Sequence, residues 1–261
     1  MQHNTLATAP GWAQAVKVPA VITLYFWLIK IMATTIGETA ADFLSVDLHL
    51  GLGGTSVVMS GLFLAVLAAQ LRAQRYIPWL YWLSVTLISV VGTLLTDNLT
   101  DRFGVPLPVS TALFALALAV AFAAWWRSEG TLSIHSIDTP RREGFYWAVI
   151  LLTFALGTAG GDLIAERLHL GYPLSAAMFG AVIALTTLAY FGLKASAVAT
   201  FWVAYIFTRP FGATVGDWLS KSGAEGGLGL GTMGTSALFL ASIVLLVAYL
   251  TKSRRDAAPA A

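Results

Sequence analysis

Three pairs of acidic residues, each four positions apart, stand out in an otherwise apolar chain. They are Glu38 with Asp42, Asp97 with Asp101, and Asp162 with Glu166. On a helix, side chains four positions apart share a face, with Cβ atoms about 5–6 Å apart. Two carboxylates so close repel each other unless one holds a proton or a cation lies between them. The pairs therefore predict a cation-binding site or a group of proton-exchanging carboxylates.

Each pair stands at the end of an apolar stretch. The motif that contains it occurs four times, and the fourth copy has one acid in place of the pair. The copies are residues 33–44, 92–103, 157–168 and 208–219. Stacking them gives one acidic column of Glu38, Asp97, Asp162 and Ala213, and a second of Asp42, Asp101, Glu166 and Asp217. A third column, one turn upstream, holds Thr34, Thr93, Thr158 and Arg209. Four such ends around one axis predict a ring of up to seven carboxylates above a layer of hydroxyl oxygens.

The elements that must position these acids have the composition of a membrane protein. Of 261 residues, 57% are hydrophobic and 11% are charged, whereas a soluble domain is about a quarter charged. Eight apolar segments approach the length that crosses a hydrocarbon layer of about 30 Å. They run approximately over 18–37, 56–71, 77–96, 107–126, 145–161, 172–193, 196–215 and 230–250. The sequence predicts an all-α polytopic bundle of eight transmembrane helices, built from four parallel two-helix repeats with pseudo-fourfold symmetry.

We predict a single membrane domain over residues 18–250, with short tails at 1–17 and 251–261. The repeats are expected at about 18–72, 77–127, 143–193 and 196–250. No cleaved signal peptide is expected, because the first 16 residues contain no Lys or Arg. The short loops leave no room for a soluble catalytic domain, and no nucleophile motif occurs, so we expect no enzymatic activity.

Lys and Arg are concentrated at the two ends and in the loops that follow even-numbered segments. Ten lie there, against three in the loops after odd-numbered segments. Because positively charged loops stay in the cytoplasm, we predict that both termini are cytoplasmic and that the acidic motifs face outward.

Two of the motifs resemble those of a known family. Thr-Thr-Ile-Gly-Glu-Thr-Ala-Ala-Asp at 34–42 and Thr-Arg-Pro-Phe-Gly-Ala at 208–213 look like a family of bacterial four-repeat membrane proteins, catalogued as a repeat of unknown function. The resemblance covers residues 19–250. It implies two transmembrane helices per repeat and a place in the bacterial cytoplasmic membrane, and it implies no activity.

The acidic ring is best suited to a hard cation. Oxygen ligands without cysteine favour Mg, Ca and Mn, and the chain has no cysteine. His49 and His169, each in a His-Leu-Gly sequence after an acidic motif, would tilt the site toward Mn, Fe or Zn. The leading hypothesis is a transporter or channel for a divalent metal cation, Mn²⁺ first, acting as an exporter. Protonation of the carboxylates would supply a counter-ion, and no resident cofactor is expected.

Two basic residues interrupt the apolar segments, and we expect both to support the metal site. Lys30 could reach the interface, clamp two repeats together, or act as an internal cation that competes with substrate. Arg209 precedes Pro210, which is expected to break the helix. That break would give either a discontinuous helix lining a cavity or a simple helix end.

Rival interpretations stay open. The acids could be solvated, or they could pair with Arg102, Arg167, Arg209 or Lys30 as structural clamps. The chain could export an organic cation held by aromatic faces, or it could be a non-transporting membrane scaffold. The expected partners are the lipid bilayer and a small cation, and a net charge of +2 gives no reason to expect nucleic acid. The sequence leaves open whether a second copy completes the ring.

Overall fold

Eight long helices make up the protein. The computed structural model describes residues 17–257, and all regular structure in that range is helical. The helices are α1 Leu24–Asp42, α2 Gly51–Arg72, α3 Pro78–Asp97, α4 Leu107–Glu129, α5 Pro140–Asp162, α6 Tyr172–Leu193, α7 Ala197–Ser220 and α8 Thr232–Ser253. Short 3-10 turns occur at Ile134–Ser136 and Gly223–Glu225. Each predicted segment corresponds to one helix. Residues 1–16 and 258–261, which hold most of the predicted tails, lie outside the described range.

Six of these helices are long and apolar enough to cross a membrane, so the chain is a multi-pass membrane protein. The other two are α1 and α7. Helix α1 carries Lys30, Glu38 and Asp42, and helix α7 carries Arg209 and Asp217. These two helices therefore hold most of the buried charge of the eight described helices.

The odd-numbered helices form an inner ring of contacts. Helices α1, α3, α5 and α7 pack in chain order, and α7 returns to pack against α1. A glycine lies at each of these four contacts: Gly37 against Ser89, Gly92 against Phe154, Gly157 against Arg209, and Gly212 against Thr34. A Cβ atom at any of these glycines would overlap its neighbour, so the missing side chains let the backbones approach closely. The last contact joins the fourth repeat to the first and closes the ring.

The even-numbered helices surround this inner ring. Each packs on the inner helix of the following repeat: α2 on α3, α4 on α5, α6 on α7, and α8 on α1. Their outward faces expose large apolar side chains such as Val57, Leu116, Leu185 and Leu245. Apolar surfaces of this kind suit contact with lipid chains.

A five-residue π-helical turn follows α1, α3 and α5, at Phe43–Asp47, Asn98–Arg102 and Leu163–Arg167. The α-helices therefore end at equivalent residues, Asp42, Asp97 and Asp162. A tryptophan precedes each of these aspartates by fifteen positions, and the same spacing separates Trp202 from Asp217. The predicted stacking aligned Asp42 with Asp101. It was wrong because it shifted the second and third repeats by one helical turn relative to the first and fourth. Acids four positions apart look the same after a shift of four, which explains the error.

Pro210 does not end helix α7, contrary to the sequence prediction. The helix continues to Ser220 with the proline inside it. Pro210 is buried against Gly157 and Gly161 of α5, whose missing side chains leave room for the ring. Closely packed neighbours make proline tolerable within membrane helices. A discontinuous helix and a helix end at this position are both wrong.

Aromatic side chains fill the inner ring at the end opposite the aspartates that close the inner helices. We call this the aromatic end. The cluster contains Phe26, Tyr81, Trp82, Tyr146, Trp147, Phe201 and Trp202, and the hydroxyls of Tyr81 and Tyr146 lie 2.5 Å apart. Both described chain ends meet here, because the Ala20 N–H donates to the Asp256 carbonyl at 2.9 Å. Asp256 is buried, so the chain stays packed beyond the expected tail boundary at 251.

Candidate cation-binding site

A cavity of about 420 Å³ lies at the other end of the inner ring, between the helix ends and the turns that follow them. We call it the acidic cavity. Six of the seven predicted ligands line it: Glu38, Asp42, Asp97, Asp101, Asp162 and Asp217. The seventh, Glu166, has a side chain that lies outside the described part of the structure. The sequence thus identified most of the charged lining of this cavity.

The corrected register arranges the polar groups in layers. Each repeat contributes one aspartate to an outer layer of Asp42, Asp97, Asp162 and Asp217. One turn deeper lie Glu38, Thr93, Thr158 and Ala213. One further turn deeper lie Thr34, Ser89, Phe154 and Arg209. The outer layer is uniform, whereas each deeper layer differs between repeats.

Three carboxylates from three inner helices converge within the cavity. Glu38, Asp162 and Asp217 each offer an oxygen, and these oxygens lie within 4.8 Å of one another. Glu38 and Asp217 are buried, and Asp162 is half-buried. Hard divalent cations bind oxygen at about 2.0–2.6 Å, so ligands on opposite sides of the ion lie about 4–5 Å apart. The spacing of the three carboxylates therefore fits one such cation.

Arg209 lies one turn deeper than Ala213 on α7 and contacts Glu38, a lining residue of the cavity; it is completely buried. Its Nη1 donates to the Thr34 carbonyl at 2.8 Å, and its Nη2 donates to the Glu38 carboxylate at 3.1 Å. Nη2 also donates to the hydroxyls of Thr158, at 2.5 Å, and of Thr93. A guanidinium from α7 that contacts α1, α3 and α5 lies at the centre of the inner ring.

The three predicted supporting threonines serve this arginine. Thr93 and Thr158 accept its hydrogen bonds through their hydroxyls, and Thr34 accepts one through its carbonyl. The Thr34 hydroxyl itself donates to the Ile31 carbonyl. These hydroxyls were expected to extend the metal site, and the structure instead brings those of Thr93 and Thr158 to Arg209.

Lys30 lies two turns deeper than Glu38 on α1 and has no exposed surface. Its Nζ atom is 4.3 Å from the ring centroids of both Phe154 and Tyr205. Within residues 17–257 it has no hydrogen-bond partner, and its amino group packs against the two aromatic faces. A side chain that reaches the interface, one of the three sequence expectations, is wrong. The contacts join α1 to α5 and α7.

Lys221, which sequence reasoning missed, lies at the mouth of the cavity. Its ammonium contacts the Asp42 carboxylate at 3.0 Å. Burial lowers the pKa of Lys221, but Asp42 and Asp217 outweigh that effect and hold the pKa above its usual value. Its signal in the sequence is its register, since Lys221 stands four positions after Asp217, where the second and third repeats have Asp101 and Glu166.

His49 and His169 have a conformational role that the sequence did not reveal. Both are exposed, and both adopt the left-handed backbone conformation, with φ of 55° and 56°. Gly104, at the same position in the second repeat, has φ of 68°. Neither histidine lines the acidic cavity as far as the structure describes it. The expectation that an imidazole would tilt the site toward Mn, Fe or Zn is therefore not supported by the geometry.

Comparison with known proteins supports the four-repeat organisation. A family model described as Repeat of Unknown Function (DUF347) matches residues 25–76, 80–131, 145–196 and 200–256. Each match begins two residues before the recurring tryptophan, which gives the same register as the helix ends. No curated protein and no solved structure shows significant similarity to the chain.

Proposed function

We propose that this chain, which belongs to the family of the Repeat of Unknown Function (DUF347), is a membrane transporter for a divalent metal cation. The observation that carries the proposal is the convergence of Glu38, Asp162 and Asp217, with oxygens within 4.8 Å of one another. Mn²⁺ is our first candidate, because carboxylate-rich sites without thiolates suit it together with Mg²⁺ and Ca²⁺. Export is the direction we propose to test.

We further propose that all eight helices cross a bacterial cytoplasmic membrane as four parallel repeats with pseudo-fourfold symmetry. The glycine contacts support this arrangement, because the same position of each repeat meets the same position of the next. The meeting of both chain ends at the aromatic end agrees with an even number of crossings. The excess of Lys and Arg there favours a cytoplasmic location for that end.

In this proposal the cavity carboxylates exchange a cation for protons. Close carboxylates favour a bound cation or shared protons, so release of the metal would be accompanied by proton uptake. Lys221 contacts Asp42, and Arg209 contacts Glu38. The metal is cargo, and the proposal includes neither a resident cofactor nor a chemical reaction.

Equilibrium dialysis of the purified protein tests the proposal directly. Wild-type protein is dialysed against Mn²⁺, Mg²⁺, Ca²⁺ and Zn²⁺ separately, and bound metal is measured by elemental analysis. We expect Mn²⁺ binding that the Asp162→Asn, Asp217→Asn double variant loses. Glu225→Gln is the matched control, since it neutralises an exposed acid outside the cavity lining.

Total metal in cells that overproduce the protein then gives the direction of transport. A fall in Mn with the wild type, absent from the double variant at equal membrane expression, indicates export, and a rise indicates uptake. Retention of binding and of the cellular effect by the double variant would contradict the proposal.

The organic-cation alternative has one observation in its favour. Phe154 and Tyr205 already hold the amino group of Lys30 against their faces. Competition separates the two functions. In a metal transporter only other metals should displace bound metal, whereas in the alternative an organic cation should displace it. A scaffold predicts neither metal nor organic-cation flux in liposomes, together with a stable partner on purification.

A further inference from the structure

Arg209 separates the acidic cavity from the deeper part of the inner ring. Along α1, Lys30, Thr34, Glu38 and Asp42 follow one another at four-residue intervals, which is about 6 Å per step. Arg209 donates to both Thr34 and Glu38, so its guanidinium lies between the cavity and Lys30. Because it also contacts α3 and α5, an ion that moves from the cavity toward Lys30 must pass it.

The carboxylate that holds Arg209 is also one of the three that converge for a cation. Glu38 contributes to the group with Asp162 and Asp217, and it accepts the hydrogen bond from Nη2. A divalent cation bound at about 2.0–2.6 Å from this carboxylate would lie within about 6 Å of the guanidinium nitrogen. At that distance in a buried site the repulsion between the charges is strong.

Glu38 is the one carboxylate that accepts a hydrogen bond from Arg209 among the described residues. The other contacts of Arg209 are neutral: the carbonyls of Thr34 and Phe154 and the hydroxyls of Thr93 and Thr158. A buried charge that loses its ionic partner is strongly destabilised. When Glu38 turns to a metal, the guanidinium loses its ionic hydrogen bond and keeps the neutral ones.

We infer that Arg209 is a gate. Its guanidinium stays bound to the Glu38 carboxylate until a divalent metal ion binds that carboxylate instead. Metal binding at Glu38, Asp162 and Asp217 displaces the guanidinium from the centre of the inner ring and opens the path toward Lys30. The inference rests on the proposed metal transport and adds to it the step that couples binding to opening. It also accounts for the departure of the fourth repeat from the others at this position.

Because the chain contains no cysteine, one introduced thiol reports on the gate. Lys30→Cys places it beyond Arg209 and removes no hydrogen bond seen in the structure. We would measure the rate at which a charged methanethiosulfonate modifies this thiol in detergent-purified protein, with and without Mn²⁺. The rate is expected to rise about tenfold with Mn²⁺, as for a shift in the opening equilibrium of that size.

Variants in the same background test the role of the arginine. Arg209→Ala should give fast modification without Mn²⁺, and added guanidinium ion should slow it again. Glu38→Gln, which keeps the side-chain shape, should also raise the rate and abolish the effect of Mn²⁺. Arg75→Ala, which removes an exposed arginine, is the matched control and should leave the rate unchanged. Size-exclusion chromatography and circular dichroism establish that each variant is folded.

The outcomes separate the gate from the transport function. If Mn²⁺ binds in equilibrium dialysis but does not change the modification rate of the introduced thiol, the gate is wrong and the transport proposal stands. A folded Arg209→Ala variant with an unreactive thiol also overturns the gate. If no divalent metal binds the wild type, the transport proposal fails, and displacement of Arg209 by metal fails with it.

Discussion

The guanidinium of Arg209 and the carboxylate of Glu38 form a buried ion pair, 3.1 Å long, between residues 171 positions apart. It joins the fourth repeat to the first at the centre of the inner ring. At the position of Arg209 the other three repeats have Thr34, Ser89 and Phe154. The departure of the fourth repeat from the other three thus places a charge at the centre of the ring, with consequences for stability that can be measured.

The ion pair should show strong energetic coupling. Glu38→Gln is expected to lower the free energy of unfolding by about 3 kcal/mol, since it leaves the buried guanidinium without an ionic partner. Adding Arg209→Met should recover part of this loss, giving a coupling energy of about 1–3 kcal/mol. Denaturant unfolding of the four proteins in detergent micelles measures the cycle. Additive effects would show that the two side chains do not interact.

The inner-ring glycines should not tolerate a methyl group. In Gly92→Ala the new Cβ would lie 2.5 Å from the Cβ of Phe154, and overpacking of this kind costs about 1–3 kcal/mol. Gly144→Ala is the control, because it adds the same atom in α5 where no other group lies within 4 Å. Thermal unfolding followed by circular dichroism should show a lower midpoint for Gly92→Ala only. Equal midpoints would contradict close packing at Gly92.

Removal of the ammonium at the cavity mouth should strengthen metal binding. Lys221 engages Asp42 at 3.0 Å, so it competes with a cation for negative charge. Lys221→Met should lower the Kd for Mn²⁺ roughly fivefold, a change of about 1 kcal/mol. Lys252→Met, at the other end of the bundle, provides the control. Titration calorimetry at low ionic strength measures both, and unchanged affinity in Lys221→Met would place the metal away from Asp42.

Asp256 should make stability depend on pH. Burial raises the pKa of its carboxyl above the usual value, against the opposing effect of the hydrogen bond from Tyr76. The folded state therefore holds the proton more tightly than the unfolded state, and this group adds stability as pH falls from neutral toward about 4. Asp256→Asn lacks this titration. The wild type should gain in thermal midpoint relative to the variant between about pH 7 and about pH 4.5, and parallel curves would refute the prediction.

Much of the fold could be predicted from the sequence, because lipid imposes a strong length and polarity rule on each helix. All eight segments were found, and the four repeats are confirmed by the family match. The register was wrong because acids at i and i+4 match after a one-turn shift. The tryptophans at a constant fifteen positions before Asp42, Asp97, Asp162 and Asp217 would have fixed it.

The site was predicted in outline and not in its interior. Charged residues within apolar segments are rare enough to single out Glu38, Lys30 and Arg209. Their partners could not be derived, because the pairing of Arg209 with Glu38 depends on how α7 closes against α1. The continuation of α7 through Pro210 also depends on a neighbour, since Gly157 and Gly161 make room for the ring. The helix propensity of the local sequence predicts neither this pairing nor the continuation of the helix.

The closure of the inner ring by α7 sets an order of events during synthesis. Helix α1, with Lys30 and Glu38, leaves the ribosome long before Arg209 is made, 171 residues after Glu38. At roughly 5–20 residues per second, the interval is about 10–35 s. Throughout that time the ionic partner of Glu38 does not yet exist. The nascent chain must therefore keep α1 at a hydrated surface or beside the insertion machinery until the seventh helix arrives.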